Sequence, residues 1–215
     1  MLHALNESTN ELCRCCKNAD RNDLDPIRKM PCRGFRPESL ASALLYVALK
    51  HCEAIRSLVA EQNLASAFAL MRPLMETTYR AMWIHRCASS EQVRKCMETD
   101  QWHSAWKLVT EVETTNGYPP LLSKVWSDSR EIMHSYTHGG TQTAFRHFAE
   151  DGFISPTASE QEIFEVVRIT GIFSFSIFSE LVDMSQGEDL SSEVEAMSER
   201  LWDWAFNNAI CAKGV

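Results

Sequence analysis

Glycine and proline are scarce here, at eight and seven of 215 residues. A sheet-rich fold needs frequent turns, so the shortage excludes most all-β architectures and predicts long helices joined by few loops. Basic charge is also in deficit. Lysine and arginine total 21 against 29 acidic residues, for a net charge of −8. Non-specific nucleic-acid binding runs on many Lys and Arg contacts to phosphates, so a wide basic face is excluded and only a local basic pocket is left open. No apolar run approaches the ~18 residues of a membrane helix. The start, Met1-Leu2-His3-Ala4-Leu5-Asn6-Glu7, lacks the basic and apolar regions of a signal peptide. The expectation is a cytoplasmic protein without a membrane partner.

Several chemical signatures are missing too. There is no Gly-rich phosphate loop, no G-x-S-x-G elbow and no H-E-x-x-H, so no cofactor is expected. The cysteines are Cys13, Cys15, Cys16, Cys32, Cys52, Cys87, Cys96 and Cys211. The first four lack the paired C-x-x-C knuckles of a zinc site, and all eight read as reduced, unligated thiols.

What is present is helical periodicity. Residues 1–18 suit a short helix and 19–37 a connecting segment broken by Pro26, Pro31, Gly34 and Pro37. The bundle domain is expected over 38–215, after an N-terminal segment over 1–37. Its first helix runs from about Pro37 to Glu61. A second starts at an Asn63 cap and reaches Cys87, with apolar residues on nearly all sides, the mark of a central helix. Pro73 inside it predicts a kink. Shorter helices follow from Ser89 or Ser90 to Met97 and from Trp102 to Val112. Long ones run from Pro120 to Thr137 and from a Thr157 or Ser159 cap to Asp183. A turn or short helix is expected over 141–149, and a last helix from Ser191 or Ser192 to Asn208. Trp102, Trp106 and Trp126, with Met97, read as core. The predicted fold is all-α, an up-and-down bundle of four long helices with shorter ones at its side.

Two polar stripes interrupt this pattern. Arg72, Glu76 and Arg80 lie four residues apart on the most apolar helix, flanked by Tyr79 and Trp83. Charges there are costly unless paired, so an Arg72–Glu76 ion pair is predicted. It either fixes helix packing or lines a ligand pocket. The second stripe is Arg130, His134 and His138, with Tyr136 and Thr137 between the histidines and Gly139-Gly140 after them. Histidines one turn apart can share proton transfer or a metal, or simply close a helix. Glu131-Ile132-Met133-His134 matches the Glu-x-x-His of di-metal bundles, but no second copy occurs. No metal is assigned.

The run Leu64-Ala65-Ser66-Ala67-Phe68-Ala69-Leu70-Met71-Arg72-Pro73-Leu74-Met75-Glu76, followed by Arg80-Ala81-Met82-Trp83 and later by Tyr136-Thr137-His138-Gly139-Gly140, resembles a family of uncharacterised bacterial helical proteins over roughly residues 40–185. The chain is also distantly similar to the HEPN superfamily. Those proteins are helical bundles, often dimeric, and many are RNases of toxin–antitoxin or anti-phage systems. Their signature is an Arg, then four to six intervening residues, then a His. Here three residues separate Arg130 from His134 and seven separate it from His138, so only an Arg and a His on one helical face are shared. The resemblance implies a metal-independent endoribonuclease. His138 or His134 would be acid and base, and Arg130 or Arg72 would hold phosphate. It further implies RNA, an antitoxin or another protein as partner, and a homodimer. Six tryptophans and nine methionines, much apolar surface for one small core, also fit a homodimer. The alternative is a non-catalytic helical module that binds a ligand or partner through Arg72, Glu76, Arg80, Tyr79 and Tyr136.

Overall fold

The computed structural model describes residues 36–139, 144, 159–185 and 190–207. Among them there is no strand; the fold is all-α. The helices are α1 (Pro37–Ala60), α2 (Leu64–Arg86), α3 (Ser90–Thr99), α4 (Ala105–Asn116), α5 (Leu121–Thr137), α6 (Glu160–Met184) and α7 (Ser191–Trp202). A π-helical turn, Asp203–Asn207, continues α7. The elements expected over 1–18 and, apart from residue 144, over 141–149 lie outside the described residues, as do Cys13, Cys15, Cys16, Cys32 and Cys211.

The local reasons for these elements are visible. Pro37 opens α1, where its missing N–H costs nothing. Ser89 and Ser159 start α3 and α6 with reciprocal capping boxes to Gln92 and Glu162. Ser104 caps α4, which therefore begins later than Trp102. Asn63 takes the cap position of α2, but its side chain bonds Glu61 instead of the helix. The last helix starts after Leu190 and is not capped by a serine side chain. Gln62, at φ 63°, turns the chain between α1 and α2.

α2 is the central element. It packs on α1, α4, α5 and α6, and Ser66 is its one exposed residue. Tyr79, Met75, Leu74 and Trp83 on α2 are fully enclosed, as are Leu45 and Ile55 of α1 and Phe173 and Ile177 of α6, and the Tyr79 ring lies 5.6 Å from that of Phe173. Pro73 lies within α2, and the helix continues on both sides of it. Thr78 is satisfied by donating to the Leu74 carbonyl. The expected tryptophan core holds only in part. Trp126 is buried and Trp102 partly so, but Trp106 is 49% exposed. α4 buries the face carrying Leu108, Val109 and Val112, and Trp106 points away from it.

Candidate functional site

The register of α5 on α2 determines which polar residues meet. At the start of α5, the Tyr79 hydroxyl donates to the Leu122 carbonyl at 2.9 Å. The Tyr79 ring also stands edge-on to Trp126, 6.0 Å between centroids. Buried Glu113 of α4 accepts from the Ser123 backbone N–H at 3.0 Å, in the first turn of α5, where such amides otherwise lack partners. At the other end, Tyr136 stacks on Phe68 with centroids 4.5 Å apart. Early α2 therefore meets late α5, and late α2 meets early α5. The two helices are antiparallel and pinned at both ends.

Between these pins the two polar stripes join. Arg72 Nε donates to Glu76 Oε1 at 2.8 Å. Arg72 Nη1 lies 3.1 Å from His134 Nδ1. A guanidinium only donates, so Nδ1 is the acceptor and the His134 ring proton sits on Nε2. The His138 ring lies 4.5 Å from that of His134. On the other side, Arg80 Nη2 is 3.7 Å from Glu76 Oε2. Arg80 also stacks over the Trp102 ring at 5.2 Å, and Trp102 Nε1 donates to Asp100 at 3.1 Å. A side-chain chain thus runs from Asp100 through Trp102, Arg80, Glu76, Arg72 and His134 to His138.

His134 and His138 are exposed at the end of α5, where Gly139 takes φ 61° and stops the helix. Any residue with a Cβ would be strained in that conformation. Arg72, Glu76 and Arg80 are partly buried. The site is an open shelf on the bundle. Arg130 is exposed on α5 and makes no hydrogen bond or ion pair with a described residue. Tyr79 is fully buried and its hydroxyl is taken by Leu122. Burial, and after it the charge of Glu113, holds its phenol well above the ordinary range. Tyr79 therefore positions α5. Tyr79→Phe is expected to cost about 1 kcal/mol in urea unfolding, the worth of one buried hydrogen bond, with the ring packing kept.

A second cluster has no counterpart in the sequence reading. Glu180 of α6 is buried. Its Oε1 accepts from Arg86 Nε at 2.6 Å, and its Oε2 lies 2.7 Å from His85 Nδ1. Asp183 adds weaker links, 3.3 Å to Arg86 and 3.5 Å to His85. Tyr118 lies under the Arg86 guanidinium. Burial works against the Arg86 charge, but the hydrogen bond and charge of Glu180, with Tyr118 and Asp183 behind them, raise its pKa. The signal was Glu180 itself, a lone acid in the apolar run of α6, which had to find a cation.

Cys52, Cys87 and Cys96 are free thiols. Burial pushes Cys52 up to about 12 and raises Cys87 and Cys96, the reverse of a reactive cysteine. Among the described residues, no group of three or more His, Cys, Asp or Glu could hold a metal. No helix among them is long and apolar enough to cross a membrane.

The model of a protein family of unknown function, DUF6988, matches residues 45–205, and the chain belongs to that family. The match contains both polar stripes and the Glu180 cluster. No curated protein and no solved structure matches the chain.

Proposed function

We propose that the shelf formed by α2 and the end of α5 binds the anionic group of a ligand, and that the protein acts as a non-catalytic binding module. One observation carries this reading: Arg72 donates at once to Glu76 and to His134. The guanidinium is held from two sides, as a rigid anion site requires. Its Nη2 has no hydrogen-bond partner among the described residues. His134, with Nδ1 filled, presents an Nε2–H donor. Arg80 adds a second cation one helical turn beyond Glu76. Local basic donors on an otherwise acidic protein suit a single phosphate or carboxylate group rather than a long polyanion.

The second reading is the HEPN-like RNase of a toxin–antitoxin or anti-phage system. The proximity of His138 to His134 favours it. In this geometry His134 Nδ1 already accepts a hydrogen bond, so the base role would fall to His138. Arg72 would hold the phosphate. Arg130, unengaged on the same helix, would be a further phosphate arm.

The two readings separate in one experiment. Inorganic phosphate is expected to raise the melting temperature of the wild type in proportion to the logarithm of its concentration above Kd. Arg72→Ala is expected to abolish that rise, and His138→Ala to retain most of it. RNA incubated with the wild type should remain intact. RNA cleavage that disappears in a folded His138→Ala variant would replace the binding module with the RNase.

A further inference from the structure

We infer that the shelf is a proton-coupled anion site, in which His134 takes up a proton as the anion binds beside Arg72. The inference rests on the anion-binding reading above and adds the charge state in which the site holds its ligand. Its source is the Arg72–His134 contact, Nη1 to Nδ1 at 3.1 Å. A guanidinium has no acceptor atom and no proton to lose, so this bond requires a lone pair on Nδ1. His134 is therefore neutral in the empty shelf. A protonated ring would lose the bond and set two cations against each other. Glu76 does not relieve that repulsion. It uses Oε1 to accept from Arg72 at 2.8 Å and turns Oε2 toward Arg80, 3.7 Å away.

An anion at Arg72 reverses these terms. While Arg72 holds Nδ1, the one donor of the ring is Nε2–H, on the side away from the guanidinium. An anion seated against Arg72 accepts from the guanidinium in place of Nδ1, and the Glu76 bond to Nε keeps the arginine anchored. Nδ1 then takes a proton from solvent and donates to the same anion, a charge-assisted bond. The balance is one proton from solvent to Nδ1 for each anion bound, with no other covalent change. The remaining charges keep the sign. From α2, Arg80 disfavours a second cation in the empty shelf, as Arg130 does one turn back on α5. Glu131 of α5 is exposed and screened. α4 sets Glu113 at the Ser123 amide, at the opposite end of α5. The His138 ring is 4.5 Å from that of His134. Protonating both rings would restore the repulsion, so the uptake is about one proton and not two. By linkage, a site that gains a proton with its ligand binds that ligand more tightly as pH falls. The shelf thus loads an anion on acidification and releases it with the proton at alkaline pH.

The test is calorimetric titration of the purified full chain with sodium sulfate, an anion whose own charge is fixed across the neutral range. Titration in two buffers of different ionisation enthalpy gives the protons taken up per sulfate. About one proton is expected near pH 7.5, with affinity falling up to about tenfold for each pH unit above it. His134→Asn keeps an acceptor for Arg72 and a donor for the anion but does not titrate. It is expected to bind sulfate without proton uptake, and His138→Asn to keep the uptake. Nitrogen NMR of the wild-type His134 ring reads the step directly. Nδ1 is expected to be unprotonated without sulfate and protonated with it. Sulfate binding without proton uptake, uptake that survives in His134→Asn, or an Nδ1 that stays unprotonated in the complex overturns the coupling and leaves the anion site standing. Should His134→Asn lose sulfate altogether, the wild-type nitrogen signals decide. Failure of the wild type to bind sulfate even at mildly acidic pH overturns the anion site itself.

Discussion

Glu180→Ala is expected to lower the unfolding free energy by about 3 kcal/mol, the lower part of the range for breaking a buried ion pair. Glu180 is 2% exposed and serves two partners at once, the Arg86 guanidinium at 2.6 Å and the His85 ring at 2.7 Å. Its removal leaves a guanidinium and an imidazole in a pocket where each is 17% exposed. Neither can recover full hydration there. Asp183 remains within 3.3 Å of Arg86 and softens the loss, but it is 54% exposed and its charge is screened. The cost is therefore set by the stranded Arg86 guanidinium and His85 ring rather than by the intrinsic worth of the pair. This has a second consequence. Glu180→Leu combined with Arg86→Leu should recover part of what Glu180→Ala loses, since the guanidinium charge then no longer stays behind and His85 keeps its 3.5 Å link to Asp183. Urea unfolding of the single and double variants measures both terms. A loss below about 1 kcal/mol for Glu180→Ala would mean that water reaches the pocket and that the cluster does not hold α6 against α2.

The contrast between this cluster and the shelf explains what was legible in the sequence. Interactions within one helix were legible. The spacing of Arg72, Glu76 and Arg80 follows from helical geometry alone, and the Arg72–Glu76 bond forms as the spacing requires. The central position of α2 followed from its apolar residues on every side. The helix stop at Gly139 followed from glycine's tolerance of positive φ. Contacts between helices were not legible, because they depend on register. Arg72 meets His134 across 62 positions only because the Tyr79–Leu122 and Phe68–Tyr136 pins set α2 and α5 antiparallel at that offset. A shift of one turn, about 5.4 Å, would part them. Trp106 shows the same limit from the other side. Its residue type suggests burial, but α4 presents it to solvent because Leu108, Val109 and Val112 fill the face against α2. Tyr79 shows how a residue beside a polar stripe can serve that stripe indirectly. Its hydroxyl goes to the backbone of α5 and sets the register that lets Arg72 reach His134.

The second large effect is an alkaline loss of stability that Cys52 contributes. Burial pushes its thiol up from an ordinary 9.0 to about 12, because the thiolate would sit on α1 against the core with 6% exposure. The sign follows from proton binding. Above pH 9 the unfolded chain sheds the Cys52 proton and the folded chain keeps it, so the unfolded state binds fewer protons and stability falls as pH rises. The contribution is complete below pH 9 and is lost progressively up to about pH 12. At about pH 11 the loss amounts to roughly 3 kcal/mol, two pH units at ~1.4 kcal/mol each. Tyr79, whose phenol is raised by burial and by Glu113, acts in the same direction. The measurement is unfolding free energy from pH 8 to 11 for the wild type, Cys52→Ala and Tyr79→Phe. Cys52→Ala is less stable at pH 8 because it leaves a small cavity, so the slopes are compared and not the absolute values. A shallower alkaline slope in Cys52→Ala is the expected result, and an identical slope would place water or a cation beside the thiol. The same burial makes Cys52 slow toward thiol reagents in the folded protein, since the thiolate is the reacting form. Raised thiols in a reduced core give this protein no cysteine nucleophile among Cys52, Cys87 and Cys96. Among the described residues, Arg72, Arg80, His134 and His138 instead gather around the Glu76 carboxylate on α2 and α5.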